Sequence, residues 1–203
     1  MIKIANWQKV IKETIEKSEM TTFPAEDGKG NYPYIIQPFE KRISPRYMRA
    51  IIEGMTLMLK NEIKEATTIV LPEAIGFLLS PLIETTGLDL TLIRKRNYKT
   101  TDQIIIEQTK AYKEGARFMY CVGLKKGDIP LIVDDFISSG GTQISIINAF
   151  KKHGFDIVGI ASLYERGNGV NEIKKKTGYD AKVLVRLEII NNRPVVSRMF
   201  GVE

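Results

Sequence analysis

Cysteine, histidine and tryptophan are almost missing from this chain, which has one of each in 203 residues. A lone cysteine, Cys121, leaves no internal disulfide to form. Its place in the apolar run 118–122 reads as a buried, inert thiol, so a reducing, cytoplasmic compartment is expected. A lone histidine, His153, cannot supply the Cys and His spacing of a zinc site and leaves little from which to assemble a Ser-His-Asp set. It ends a helical pattern just before Gly154, where a cation suits the helix dipole, so it reads as a cap. No apolar run reaches about 18 residues, so no membrane span or membrane partner is expected, and no secretory signal is visible at the start. Repeats and low-complexity segments are absent. The first forty residues or so hold one clear helix and a Pro/Gly-rich stretch, with no helix-turn-helix pattern, so nucleic acid is not an expected partner.

The residues that are present suit one enzyme-sized domain spanning 1–203. Hydrophobic residues make up 43% and charged residues 27%, enough to fill a core and cover it. The net charge of +6 reads mostly as a solvated lysine-rich surface, with some attraction for polyanionic small molecules.

Helix and strand patterns alternate along the chain. Trp7, Val10, Ile11 and Ile15 share one helical face, and residues 21–38, with three prolines and two glycines, read as a loop or an irregular strand pair. Ser44 and Pro45 look like a cap and a first helical residue, ahead of an apolar face of Tyr47, Met48, Ile51, Ile52, Met55 and Leu59. Residues 67–71 read as a buried strand, 75–86 as one apolar helix ending at Gly87, and 89–93 as a strand. Segment 94–114 is polar, with some strand at 104–106. Strands follow at 117–122 and 128–133, a helix at 142–153, a strand at 156–163, a helix at 170–177 ending at Gly178, and strands at 181–188 and 194–199. This order predicts an α/β fold: a mainly parallel, twisted sheet with helices on both faces. Ligands of such sheets sit beyond the carboxyl ends of the strands. Three unusual loops leave such ends, after Leu71, after Ile93 and after Val133.

The last of these carries the most chemistry. Leu131, Ile132 and Val133 run into Asp134 and Asp135, and after Phe136 and Ile137 come Ser138, Ser139, Gly140, Gly141 and Thr142. Glycines let the backbone bend around an anion, the opening turn of a helix presents N–H groups and a positive dipole end, and the hydroxyls add donors. That is a cup for a phosphate monoester. The aspartates repel phosphate, and suit sugar hydroxyls or a magnesium ion reached through water.

This run resembles the 5-phosphoribosyl-1-pyrophosphate (PRPP) signature of the type I phosphoribosyltransferases. The resemblance covers roughly residues 46–188 and is closest to the purine branch, through Ile93-Arg94-Lys95-Arg96, the segment 108–115 and the Gly123–Asp128 stretch. It implies that fold with a small hood from the terminal segments: 1–43 as hood or interface, 44–188 as core, 189–203 as a C-terminal strand or tail. It also implies a homodimer, a Mg2+ cofactor, and PRPP, a purine base, AMP and pyrophosphate as ligands. Adenine comes first as the base, because Ser138 replaces an aspartate found in hypoxanthine-guanine enzymes and the Gly76-Phe77 pair matches the adenine ones. The alternative is a hypoxanthine/guanine enzyme. Behind it come an orotate or uracil transferase and a PRPP-sensing regulator that binds nucleic acid.

For the site, the resemblance implies that Ser138 to Thr142 hold the 5-phosphate and that Asp134 and Asp135 hold the ribose and support the metal. It places pyrophosphate on the backbone at Glu73 and Ala74, across a non-prolyl cis bond, and on Lys95 and Lys99 of a closing flap. Glu107 is a candidate base in that flap, which also carries Tyr112. Phe136 and Tyr164 are expected at the purine, with Phe39 and Tyr34 as further aromatics within reach. Ile75 stands where adenine enzymes often have arginine, so one cation of the pattern is missing.

Overall fold

The structure is a computed structural model that describes residues 6–24, 30–108 and 117–202. Tyr112 and the flap segment 109–114 therefore lie outside the described residues.

Helix α1 (Asn6–Glu16) buries the predicted stripe of Trp7, Val10, Ile11 and Ile15. Strands β1 (Met20–Pro24) and β2 (Asn31–Ile35) form an antiparallel hairpin that is a sheet of its own, which resolves the irregular pair expected over 21–38. A 3-10 turn (Pro38–Glu40) leads to α2 (Pro45–Met58). The Ser44 Oγ accepts the Tyr47 N–H at 3.2 Å, and Pro45 sits where a missing N–H costs nothing. A Cβ on Gly54 would lie 2.8 Å from the Trp7 ring, so the bare backbone of α2 is what lets the indole lie flat across it.

A short α3 (Glu62–Glu65) precedes β3 (Thr68–Pro72). The single helix expected over 75–86 is in fact two pieces, a 3-10 turn (Ile75–Leu79) and α4 (Leu82–Thr86). They part at Ser80 and Pro81, because proline has no N–H to continue the ladder and disfavours helix in the residue before it. Strands β4 (Asp89–Arg94), β5 (Ile104–Gln108), β6 (Arg117–Cys121) and β7 (Pro130–Ile137) follow. Then come α5 (Gly141–Lys152), β8 (Gly159–Glu165), α6 (Gly169–Thr177), β9 (Ala181–Ile190) and β10 (Arg193–Met199). His153 caps α5 as expected, its Nδ1 2.8 Å from the Ala149 carbonyl.

The main sheet has the order β10-β9-β8-β7-β3-β4-β6-β5. The five strands from β9 to β4 run parallel, and β10, β6 and β5 are antiparallel at the two edges. The central strands are buried on both faces. Alternate residues feed alternate cores: Ile69, Leu71, Leu131 and Val133 join α1 and α2, whereas Val70 and Ile132 join Ile146, Phe150 and Ile173 of α5 and α6. Each such side chain contributes about 1.5–3 kcal/mol. No helix among the described residues is long and apolar enough to cross a membrane.

Candidate active site

The carboxyl ends of β3, β4, β7 and β8 open on one side of the sheet, as parallel pairing requires. Strand β7 runs four residues further than expected. The ladder to β8 continues through Asp134, Phe136 and Ile137, so both aspartates lie within the strand and not in the turn after it.

Neighbours on a strand point to opposite faces, and the two carboxylates differ accordingly. Asp134 is buried at 6% exposure. Its Oδ2 accepts from Gln143 Nε2 of α5 at 2.6 Å and its Oδ1 from the Asp135 N–H at 2.8 Å. A Cβ on Gly76 would sit 3.3 Å from Oδ1, so the chain after β3 closes over this group. Asp135 is half-buried and turned toward the hairpin side, where the charge of Glu40 reaches it. Burial first, and then the charge of Asp135, holds the Asp134 carboxyl well above the usual range. Burial also raises Asp135, and Glu40 adds to the rise. No cationic side chain among the described residues pairs with either.

The turn that follows is built by contact between loops. Gly140 is left-handed (φ 77°) and caps α5. A Cβ there would meet the Gly169 carbonyl at 2.7 Å, and one on Gly169 would meet the Ser138 carbonyl at 2.5 Å. The Arg166 N–H donates to the Ile137 carbonyl at 3.1 Å. Behind that loop, Arg186 donates to Glu165 Oε2 at 2.8 Å and to the Gly167 carbonyl at 3.0 Å. Ser138 and Ser139 face solvent, and the Thr142 Oγ1 accepts from Gln108 Nε2 at 3.0 Å. Ser138, Ser139, Gly140, Gly141 and Thr142 thus form one turn leading into α5.

Across the opening, the bond from Glu73 to Ala74 is cis, at the position the resemblance indicated. The Glu73 N–H donates to the Ile93 carbonyl at 2.8 Å, and Glu73 Oε2 meets Arg94 Nε at 2.5 Å. That guanidinium holds the Glu73 carboxyl below its usual value. Arg94 is therefore the cation that braces this loop, a role that sequence left unassigned. Lys95 and Lys99 are exposed beside it, Lys99 with φ 57°. The 95–103 stretch is tied across itself: Gln103 Oε1 accepts the Tyr98 N–H at 2.9 Å, and Asn97 Oδ1 accepts from Lys99 N at 2.9 Å and Gln103 Nε2 at 3.0 Å. The long polar flap expected over 94–114 thus begins as a clasped loop and continues as an edge strand.

One expectation fails. Tyr164, expected at the purine, has 0% exposure and lies in the core, its hydroxyl bonded to that of Tyr47 and its ring stacked on Phe39 at 5.6 Å. Strand β8 runs through Glu165, so Tyr164 is still packing and not yet loop. Glu107, the candidate base, lines a groove along α5 with Ile105, Phe118, Gly141 and Ser145, while its neighbour Gln108 reaches Thr142. Phe136 is half-buried against the first core, which leaves an edge for a ligand. Tyr34 donates its hydroxyl to Glu40 Oε1 at 2.7 Å. Burial, that bond and the charge of Asp135 raise its pKa. Arg166 ties the hairpin down through the Pro33 carbonyl at 3.0 Å. Gln143, Gln108 and the Tyr34–Glu40 pair escape sequence reasoning, since ordinary polar residues acquire these roles only from distant partners.

Comparison with known proteins agrees with this geometry. The family described as phosphoribosyl transferase domain matches residues 58–190. A hypoxanthine/guanine phosphoribosyltransferase of Methanothermococcus okinawensis is 37% identical over 169 residues, covering 83% of this chain and 91% of the relative. One from Methanocaldococcus jannaschii is 35% identical over 173 residues, covering 83% and 92%. Among solved structures, adenine phosphoribosyltransferase from Thermoanaerobacter pseudethanolicus superposes with a TM-score of 0.69 at 25% identity, covering 88% of this chain and 98% of that one. With its PRPP-type turn, cis-bonded loop and mostly parallel sheet, the chain belongs to the phosphoribosyltransferase family.

Proposed function

We propose that the protein transfers a phosphoribosyl group from PRPP to a purine, releasing pyrophosphate and a nucleoside monophosphate. The observation that carries this is the glycine-backed turn at 138–142, directly after a buried and a half-buried carboxylate that pair with no cation among the described residues. The turn binds the 5-phosphate through backbone N–H groups and hydroxyls. Asp135, half-buried and turned toward the opening, accepts from the ribose hydroxyls, while Asp134, gripped by Gln143, fixes the strand end beneath it. The amides at Glu73 and Ala74, with Lys95 and Lys99, receive the leaving pyrophosphate, and Arg94 holds that loop in place. As the sugar–pyrophosphate bond loosens, charge grows on the leaving group, and fixed donors there lower the barrier. Tyr34 and Phe136 flank the purine.

A magnesium ion fits the oxygen-only donor set. Burial and the charge of Asp135 raise the Asp134 pKa, and burial and the charge of Glu40 raise that of Asp135, as a site short of positive charge should. Asp134 and Asp135 would hold such an ion through water, together with substrate oxygens. When bound, it supplies positive charge against the diphosphate.

The relatives favour a 6-oxopurine as the base, since the curated ones at 32–37% identity carry the hypoxanthine/guanine name. Adenine is the second reading, and Ser138 supports it. The test offers adenine, hypoxanthine, guanine and orotate separately with PRPP and magnesium and measures pyrophosphate. Release with hypoxanthine or guanine supports the first reading and release with adenine the second. No release with any purine overturns both.

A homodimer belongs to the same proposal. A groove between α2 and α4, lined by Met48, Ile52, Leu57, Pro81 and Ile83 and rimmed by Arg49 and Glu84, offers both charge signs on one apolar surface, as a twofold contact needs. Light scattering tests it. A cytoplasmic location fits Cys121, whose thiol burial pushes up to about 12.

A further inference from the structure

The sheet edge where β10 runs against β9 carries more positive charge than bracing the 165–167 loop requires. Arg186 and Arg198 are direct cross-strand partners, and like charges in that register repel. Arg186 is partly neutralised by Glu165. Lys182, on the same strand, is neutralised by Glu62 Oε1 at 2.5 Å. Arg198 is exposed and has no carboxylate partner among the described residues. This corner is thus short of one negative charge.

The two arginines open into a cavity of about 610 Å³, within the usual size of small-molecule sites. Glu165 and Lys182, already engaged by Arg186 and Glu62, also line it, and its apolar wall includes Met58, Val183, Met199 and Phe200. Phe200 keeps 40% of its surface exposed, so a ring face is available next to the cations. None of the residues placed around PRPP lines this cavity.

We propose that this cavity is a second ligand site, for a small aromatic anion of the phosphomonoester or carboxylate type. The anionic head bridges Arg186 and Arg198, relieving their repulsion, and guanidinium forks match such heads well. The aromatic body lies against Phe200 and the two methionines. Both parts are required, because the charge alone would find water and the ring alone would leave the arginines opposed.

The full chain, labelled at its methionine methyls, tests this by NMR with phenyl phosphate as probe. Benzyl alcohol serves as the ring without charge and inorganic phosphate as the charge without ring. Phenyl phosphate is expected to shift Met58 and Met199 saturably and to leave Met119, in the opposite core, in place. Each half-probe should bind at least tenfold more weakly. Arg198→Ala should lose the response. Arg198→Glu should lose it too and should raise the melting temperature of the ligand-free protein, since a carboxylate then faces Arg186. Absence of saturable shifts at Met58 and Met199, or an undiminished response in the folded Arg198→Ala protein, overturns the proposal. So does equal binding of inorganic phosphate, which would leave an adventitious ion only.

Discussion

The loop after β7 and the loop after β4 are built on opposite principles. The turn at 138–142 is braced from behind by backbone: Gly140 and Gly169 approach so closely that a single Cβ on either would collide with a carbonyl. The loop at 95–103 is braced near its surface, by the amide side chains of Asn97 and Gln103 and by Arg96 lying over the Tyr98 ring at 5.7 Å. The first is wedged against neighbouring backbone, whereas residues 95–102 of the second are exposed and pack into neither core. Such a division suits a reaction in which the sugar phosphate must stay fixed while pyrophosphate leaves.

If that reading holds, the largest effect comes from the rigid side. Asp135→Asn should lower turnover about a hundredfold to a thousandfold, the cost of deleting one fixed charge-stabilising group. It should also raise the melting temperature at neutral pH, because it removes one of two mutually repelling buried carboxylates. A steady-state assay and a thermal melt read both, and unchanged turnover would remove Asp135 from the site.

Next comes Gly140→Ala. The left-handed backbone costs an ordinary residue about 1–2 kcal/mol, and overpacking against Gly169 adds roughly 1–3 kcal/mol. At about 2–4 °C per kcal/mol for a chain of this size, the melt should drop visibly, and the KM for PRPP should rise. A melt and KM both like wild type would show that the turn is as yielding as the other loop.

The aspartates also set a pH signature. Their folded-state pKa values lie above the unfolded reference of about 3.9, so the folded protein holds protons more readily. Acidification from neutral pH into that window stabilises the fold, and this contribution is lost as pH rises through the raised values. Glu73 runs the other way. Arg94 lowers its pKa, so its small contribution is present above its unfolded value and is lost as pH falls through the lowered one. The gain in melting temperature from Asp135→Asn should therefore be larger at pH 7 than at pH 5. An equal gain at both would mean that repulsion is not its source.

The same contrast explains what could be read in the sequence. The 138–142 turn announces itself locally, by an apolar strand, two acids and two glycines in order, and the sheet follows from alternating periods. The cis bond at Glu73 came from resemblance, not from residue chemistry. The apolar pattern over 75–86 predicts one helix, and Pro81, a visible breaker, splits it in two. Strand β8 runs two residues beyond the end its apolar run predicts, which makes Tyr164 a core ring and not a loop residue. Gln143 and Gln108 could not be read at all, since each is defined by a partner 9 or 34 residues away.

The smallest expected effect lies in the pliant loop. Gln103→Ala removes two hydrogen bonds near the surface, each worth about 0.5–1.5 kcal/mol at most and less where water replaces it, so the melt should barely move. Function should feel it more: Lys95 and Lys99 lose their common frame, and the rate at low PRPP should fall by a few-fold with the 5-phosphate affinity unchanged. Binding of ribose 5-phosphate, which occupies the turn but not the pyrophosphate region, separates the two loops. Should Gln103→Ala weaken ribose 5-phosphate as much as PRPP, the loops are mechanically one unit, and the division of labour between a fixed cup and a yielding clasp fails.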